Sequence, residues 1–289
     1  MATLKKIQQD KEDLQILHNT VAAFEEIAVI RMQRIRTSIL NYRDFITGLA
    51  DIFHQVKVSY THQILTLMKK KHMKNLKKLS LIEHNEKTIA VCITANTGLY
   101  GEIVAKTFSL FTAYLKTHKC DVVIIGRLGR LLFQRTFPNT PFTYFEVSDH
   151  AIDPNQLRSI SSLLLSYKYI RFFYGKFESL TRQVPTMLDL YEVTLEKPTK
   201  QPQIRFFSEP SLEKIMEFFE REIFSSLVEQ TVREAELAKL ASRMSSLEKA
   251  GENIDREVKH TEYQKRQTLH RLINKKQQAV LSGITLWSS

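Results

Sequence analysis

The sequence predicts an α/β protein in which long N- and C-terminal helices form an antiparallel coiled coil around a central α/β domain built on a mostly parallel, Rossmann-like sheet. Three observations carry this. Helix breakers are confined to the middle, because all seven prolines lie between Pro138 and Pro210, and outside residues 98–175 the only glycines are Gly48, Gly251 and Gly283. Both ends can therefore run as uninterrupted helix. Apolar residues recur every seven positions along each end. Between the ends, strand-like runs alternate with helix-like ones, the pattern of a sheet covered by helices.

In the first arm the positions seven apart are Ile7, Leu14, Val21, Ala28, Ile35, Tyr42, Leu49 and Val56, all apolar. Leu17, Phe24, Phe45 and Ile52 fill half of an offset second seam three residues further on. This is a coiled-coil stripe. The last arm repeats it, with Leu212, Phe219, Leu240, Leu247 and Ile254 on one seam and Met216, Ile223, Leu237, Met244 and Val258 on the other. A helix over 212–282 would run on the order of 100 Å at about 1.5 Å per residue. Two such arms bury their stripes most simply against each other, as a shaft with a compact foot between them. The division expected is 1–87 for the first coiled-coil helix, 88–208 for the α/β foot and 209–289 for the second helix.

Inside the foot the pattern places strands over 88–94, 121–126, 142–147, 167–173 and 187–195, with helices over 102–118, 128–136 and 155–165 between the first four. The stretch ITANTGLYGE, residues 93–102, sets Gly98 and Gly101 between the first strand and the first of these helices. Phosphate loops occupy such positions, since a helix N-terminus offers unpaired N–H groups. A P-loop needs GxxxxGK[ST] and a dinucleotide loop GxGxxG, whereas Glu102 here puts a carboxylate where a phosphate would sit. The turn is read as a structural one, with no nucleotide and no other cofactor.

Catalytic patterns are missing elsewhere. The nine histidines include no HExxH and no pair four residues apart, so no metal site is expected. Asp149 and His150 adjoin without a nucleophile motif such as GxSxG. GRLGR, residues 126–130, is a second glycine turn. Cys92 and Cys120 are isolated, which implies neither a disulfide framework nor zinc, and a reducing compartment. No apolar run approaches the ~20 residues that cross a bilayer. Asp10, Glu12 and Asp13 near the N-terminus argue against a signal or transit peptide.

Charge is the more informative property. The 289 residues carry a net +11, which calls for acidic partners. KKKHMKNLKK, residues 69–78, holds six lysines where the first arm should meet the foot. Arg31, Arg34 and Arg36 cluster on the first arm. Arg256, Lys259, Lys265, Arg266, Arg271, Lys275 and Lys276 crowd the end of the second. Two functional classes share these features: a coiled-coil scaffold or adaptor with an α/β head, which shares the arms, and a basic nucleic-acid-binding protein, which shares the charge. The last lacks interleaved aromatics and a recognition helix.

Four segments carry a resemblance in the right order. ITANTGLYG, residues 93–101, resembles the ITSDRGLCG signature of the gamma subunit of F-type ATP synthases, and the opening MATLKKI is similar to that family's start. SRMSSLEKAGEN, residues 242–253, resembles the family's SRMxAMxxAxxNA, and FFSEPSLEKI, residues 206–215, resembles its EPsxxxLL at the start of the second helix. The chain thus resembles a divergent member of that family. Asn96, Thr97 and Tyr100 replace the Asp, Arg and Cys of the first motif. Against RQAxITKELxEIxxGA the chain aligns INKK, residues 273–276, and VLSG, residues 280–283, so that Asn274 and Lys276 hold the Thr and Glu places.

The resemblance implies a non-catalytic central rotor. Its coiled coil would stand inside a ring of three alpha and three beta subunits, and its foot would sit with epsilon on the membrane c ring. The seven basic residues from Arg256 to Lys276 would then face acidic beta loops, and Leu281, Ile284, Leu286 and Trp287 would form an apolar bearing tip. Phe207 and Glu209, beside the cap Ser208 and Pro210, would meet epsilon or the c ring. Nucleic acid is not an expected partner. The membrane would be reached only through partner subunits, on the cytoplasmic face of the cell membrane.

Overall fold

The computed structural model describes residues 2–71, 84–148, 153–190 and 212–287. Among the described residues, five helices and five strands follow in the order α1 (Ala2–Lys71), β1 (Asn85–Ile93), α2 (Ile103–Thr117), β2 (Asp121–Ile125), α3 (Arg127–Thr136), β3 (Thr143–Phe145), α4 (Pro154–Leu164), β4 (Tyr167–Phe177), β5 (Gln183–Asp189) and α5 (Leu212–Trp287). The two long helices have the extents that breaker-free ends allow. The chain divides into two compact units, residues 1–30 with 243–289, and residues 31–242.

The larger unit is built on one five-stranded sheet of order β3-β2-β1-β4-β5. The pairs β1–β2, β1–β4 and β2–β3 are parallel, and β4–β5 is antiparallel. The sheet is thus mostly parallel, as expected. Its strands are covered on both faces, which is why they read as apolar runs rather than alternating ones. On one face Ile89, Val91, Val123, Ile125, Ile170 and Phe172 pack with Leu157, Ile160 and Leu164 of α4 and Val228, Val232 and Ala235 of α5. On the other, Ala90, Cys92, Val122, Ile124 and Phe173 pack under Phe108 and Phe111 of α2 and Phe133 of α3. Asp153 caps α4, accepting from the Asn155 N–H at 2.9 Å, with Pro154 in the first turn.

The last strand differs from the expectation. It runs Gln183–Asp189 instead of over 187–195, pairing Phe177 with Gln183 at one end and Arg171 with Asp189 at the other. Pro185 would exclude a central strand, but β5 is an edge strand where a missing N–H is tolerated. Residues 191–195 lie outside the described residues, as do 72–78 of the lysine run and the adjacent Asp149 and His150.

The seven-residue stripe of α1 is buried or half-buried at all eight positions from Ile7 to Val56. The offset seam is a correction: Leu17, Phe24, Phe45 and Ile52 are exposed, and the second row toward the interior is Lys11, His18, Glu25, Met32, Ile39 and Phe53, four residues after each stripe position instead of three. Four residues advance a helix by only about 40° past a full turn, whereas three fall about 60° short. Two polar members of that row, Lys11 and His18, enter it because they have partners. In the smaller unit Lys11 Nζ lies 2.8 Å from Glu262 Oε1, and His18 Nε2 lies 3.3 Å from Asp255 Oδ1. In α5 Leu240, Leu247, Ile254, Ile223 and Leu237 are buried, and Phe219, Met244 and Val258 half-buried.

Candidate functional site

The glycine turn stands at the C-terminal edge of the sheet. Gly101 has φ +60°, a conformation that favours glycine. Gly98 does not: its backbone lies outside the left-handed region, and a Cβ there would meet nothing within 4 Å. The strained residue is Leu99, at φ +67° and 60% exposed. Of the two glycines, only Gly101 meets a conformational requirement.

The turn is tied to its neighbours by side chains. Thr94 Oγ1 donates to Ile125 O at 2.8 Å and accepts from the Gly129 N–H at 3.0 Å. Asn96 Nδ2 donates to Val147 O at 2.6 Å, and its Oδ1 accepts from the Arg127 N–H at 2.9 Å. An aspartate could accept the second bond but not donate the first, so asparagine at this place knits three loops together. The glycines of GRLGR matter more than their spacing suggested. Gly126 has φ +104° and a Cβ on it would come within 2.9 Å of Ala95 N, while one on Gly129 would come within 2.5 Å of Thr94 Oγ1.

A parallel sheet of this order offers a ligand crevice where the winding reverses, here beyond β1 and β4. That space is filled by the chain itself. Lys239 Nζ donates to Thr94 O at 3.0 Å and sits 5.7 Å from the centre of the Tyr100 ring. A Cβ on Gly175 of β4 would meet Ile103 Cγ1 at 2.6 Å and Ala238 Cβ at 3.5 Å. Glu102 at the start of α2 pairs with Lys106 at 2.7 Å. Among the described residues, no group of His, Cys, Asp and Glu could hold a metal ion.

The seven basic residues of α5 do not share one face. Arg256, Lys259 and Arg266 are exposed on the same side, spaced so that Tyr263, 59% exposed, and His270 complete the row. The row 256, 259, 263, 266, 270 has the 3-4 spacing of a helical face, a signal present in the sequence but hidden by counting charges alone. Lys265 turns inward instead, donating to Gln8 Oε1 at 2.6 Å. Arg271, Lys275 and Lys276 are exposed on other sides. The hydrogen bond from Lys11 holds the Glu262 carboxyl below its usual range. Leu281 is exposed, and α5 continues as helix through Ile284, Leu286 and Trp287, whose side chains lie outside the described residues together with Phe207 and Glu209. Sequence reasoning missed an exposed apolar strip on α1 formed by Ile16, Phe24, Ile27 and Ile30.

Among the described residues no helix is long and apolar enough to cross a membrane. Residues 3–281 match the family described as ATP synthase. The chain is 22% identical over 271 residues to the ATP synthase gamma chain of Desulforamulus reducens, covering 88% of each, and 21% identical to that of Roseiflexus sp. over 271 residues, covering 88% of this chain and 87% of the relative. In fold it resembles a chain of the Tetrahymena thermophila mitochondrial ATP synthase central stalk and c ring, with TM-score 0.55, 16% identity and coverage of 80% of this chain and 99% of that one. A chain of the Euglena gracilis mitochondrial ATP synthase matches with TM-score 0.50 at 14% identity, over 88% and 94%. The match spans nearly the whole sequence, and the chain belongs to the gamma-subunit family of F-type ATP synthases, a non-catalytic subunit of that complex.

Proposed function

We infer that the chain is the central rotor shaft of an F-type rotary ATPase, coupling rotation to conformational change in catalytic beta subunits. The observation that carries this reading is the family match over residues 3–281. The finer architecture proposed has three segments, with 1–87 and 209–289 as an antiparallel coiled coil and 88–208 as the foot. Its support is the pairing within each unit: Gln8 with Lys265, Lys11 with Glu262 and His18 with Asp255 in one, Ser38 with Arg233 and Tyr42 with Glu229 in the other. As the first number rises, the second falls.

A rotor works by differential contact. Each orientation of an asymmetric shaft stabilises a different beta conformation, and an equilibrium moves only by the difference in affinity between its states. The basic row of Arg256, Lys259 and Arg266, with Arg271, Lys275 and Lys276 nearby, suits acidic beta loops through long-range attraction. The exposed strip from Ile16 to Ile30 suits an apolar region of the surrounding alpha and beta subunits. Phe207 and Glu209 are proposed contacts to epsilon or the c ring, and Leu281, Ile284, Leu286 and Trp287 the bearing tip. The complex then lies on the cytoplasmic face of the cell membrane, reached through its partners.

Affinity purification of the tagged chain from its own cells tests the reading. Recovery of alpha- and beta-type ATPase subunits in threefold excess over the chain is expected, and recovery with nucleic acid and no ATPase subunits would overturn it. A cysteine at 209 should crosslink to epsilon or the c ring; crosslinks to beta alone contradict that placement.

A further inference from the structure

A rotor that passes torque must not let its shaft slip on its foot, and apolar packing alone resists sliding poorly because it has no direction. One stretch of α5, within the larger unit, supplies direction. Ala235 and Ala238 are 1% and 0% exposed, and opposite Ala238 stands Gly175 of β4, so small residues let the helix approach the sheet closely. Two polar bonds flank this contact. Glu234 Oε2 accepts from Tyr174 Oη at 3.2 Å, and Lys239 Nζ donates to Thr94 O at 3.0 Å. Five residues apart, they leave the helix about 140° from one another, with Ala235 and Ala238 in the arc between. A rotation of α5 about its axis in either direction stretches one of them.

The side of α5 turned toward α1 is fastened as well. Glu229 Oε2 accepts from Tyr42 Oη at 2.8 Å, and Arg233 donates to Glu229 Oε1 from Nε and Nη2 at 2.8 and 2.6 Å and to Ser38 Oγ at 3.2 Å. All of these groups are at least half-buried, where charge-assisted hydrogen bonds are strongest.

We propose that residues 229–239 of α5 are the torque joint of this subunit, with Tyr174–Glu234 and Lys239–Thr94 locking the helix against rotation on the sheet. Glu234 and Lys239 are positioning residues, acting through the angle at which the foot holds the shaft. The proposal rests on the rotor reading for its purpose, but not for its geometry.

The test is the double variant Tyr174→Phe with Lys239→Met, which removes one hydrogen-bond donor on each side and keeps side-chain bulk. Spin labels at the exposed Ala113 of α2 and Arg221 of α5 report the seating in the full chain. The width of their distance distribution is expected to grow about twofold, since the directional restraints are gone. In the assembled complex, ATP hydrolysis should stay near the parent rate while ion pumping per ATP falls by about half or more, the mark of a joint that slips. An unchanged distance distribution, or unchanged pumping per ATP, overturns the proposal. If the double variant does not fold, each single variant is measured in the same way and should show a share of the broadening; two unbroadened single variants overturn it equally. Failure of the parent chain to assemble with ATPase subunits would count against the rotor reading, while the label distances still decide the lock.

Discussion

Four glycines around the sheet edge form a graded series whose alanine variants should separate cleanly. At Gly126 a Cβ meets Thr94 Oγ1 at 2.7 Å and the backbone Ala95 N at 2.9 Å, and φ is +104°. Backbone cannot step aside. Overpacking of this kind costs about 1–3 kcal/mol, and the strained φ adds about 1–3 kcal/mol more, so roughly 4 kcal/mol in all is expected. At Gly129 the nearest atoms are Thr94 Oγ1 at 2.5 Å, Thr94 Cγ2 at 2.7 Å and Ile124 Cγ2 at 2.9 Å. Thr94 could swing away only by giving up its bonds to Ile125 O and the Gly129 N–H, so the cost stays at about 2 kcal/mol. At Gly101 the φ of +60° resists a Cβ, which gives about 1 kcal/mol. Gly98→Ala meets open space outside the left-handed region and should be neutral or stabilising by up to about 1 kcal/mol through the unfolded chain. Thermal unfolding followed by circular dichroism reads the series, with about 2–4 °C of Tm for each kcal/mol. Equal losses from Gly98→Ala and Gly126→Ala would refute the steric account. Micromolar ATP binding by calorimetry that disappears in these variants would restore the phosphate-loop reading.

Burial, followed by the bond to Glu229, pushes the Tyr42 phenol up to about 12. The neutral phenol is the form the fold prefers, so its stabilisation is complete below pH 10 and is lost as pH rises toward 12; Tyr42→Phe should flatten that decline by about 1 kcal/mol after allowance for half-exposure, measured as the difference in urea midpoints between the two chains. Burial raises the thiol of Cys92 far above its ordinary range and that of the half-buried Cys120 less completely. Maleimide should therefore label Cys120 slowly and Cys92 only on unfolding, and prompt labelling of both in the native chain would contradict the packing of β1. Removal of residues 276–289 takes the apolar end of α5 and its last basic residue, Lys276, but leaves both buried stripes, so the complex should assemble and hydrolyse ATP with lower torque on a probe at the foot. Undiminished torque would make that end a passive tail.

The sheet was legible because each strand of its core is a short apolar run bounded by turn residues, as TIAVCI and DVVII are. The arms were legible because nothing in 2–71 or 212–282 interrupts a helix except Gly48 and Gly251, and a Cβ on either would meet nothing within 4 Å. What failed was the second seam. Apolar residues at Leu17, Phe24, Phe45 and Ile52 satisfied a heptad template, but the helix carries them to the outside, and Lys11 and His18 take interior places because α5 offers Glu262 and Asp255. A template blind to partners cannot see that exchange. Gly126 and Gly129 were underrated for a related reason. Their role depends on Thr94, more than thirty residues earlier, and no local spacing encodes it. Among the basic residues, charge was visible in the sequence, whereas the face each occupies required the pairing of Lys265 with Gln8.

The central claim is that this chain turns as one shaft driven by nucleotide hydrolysis in partner subunits. The direct measurement is single-molecule rotation: alpha and beta subunits assembled around the chain and fixed to a surface, with a bead bound through a cysteine at Ala113 of α2. With ATP the bead should rotate in one direction with three equivalent pauses per turn, one for each beta subunit, and stop when ATP is withdrawn. A complex that hydrolyses ATP steadily while its bead only fluctuates about a fixed angle would contradict the account.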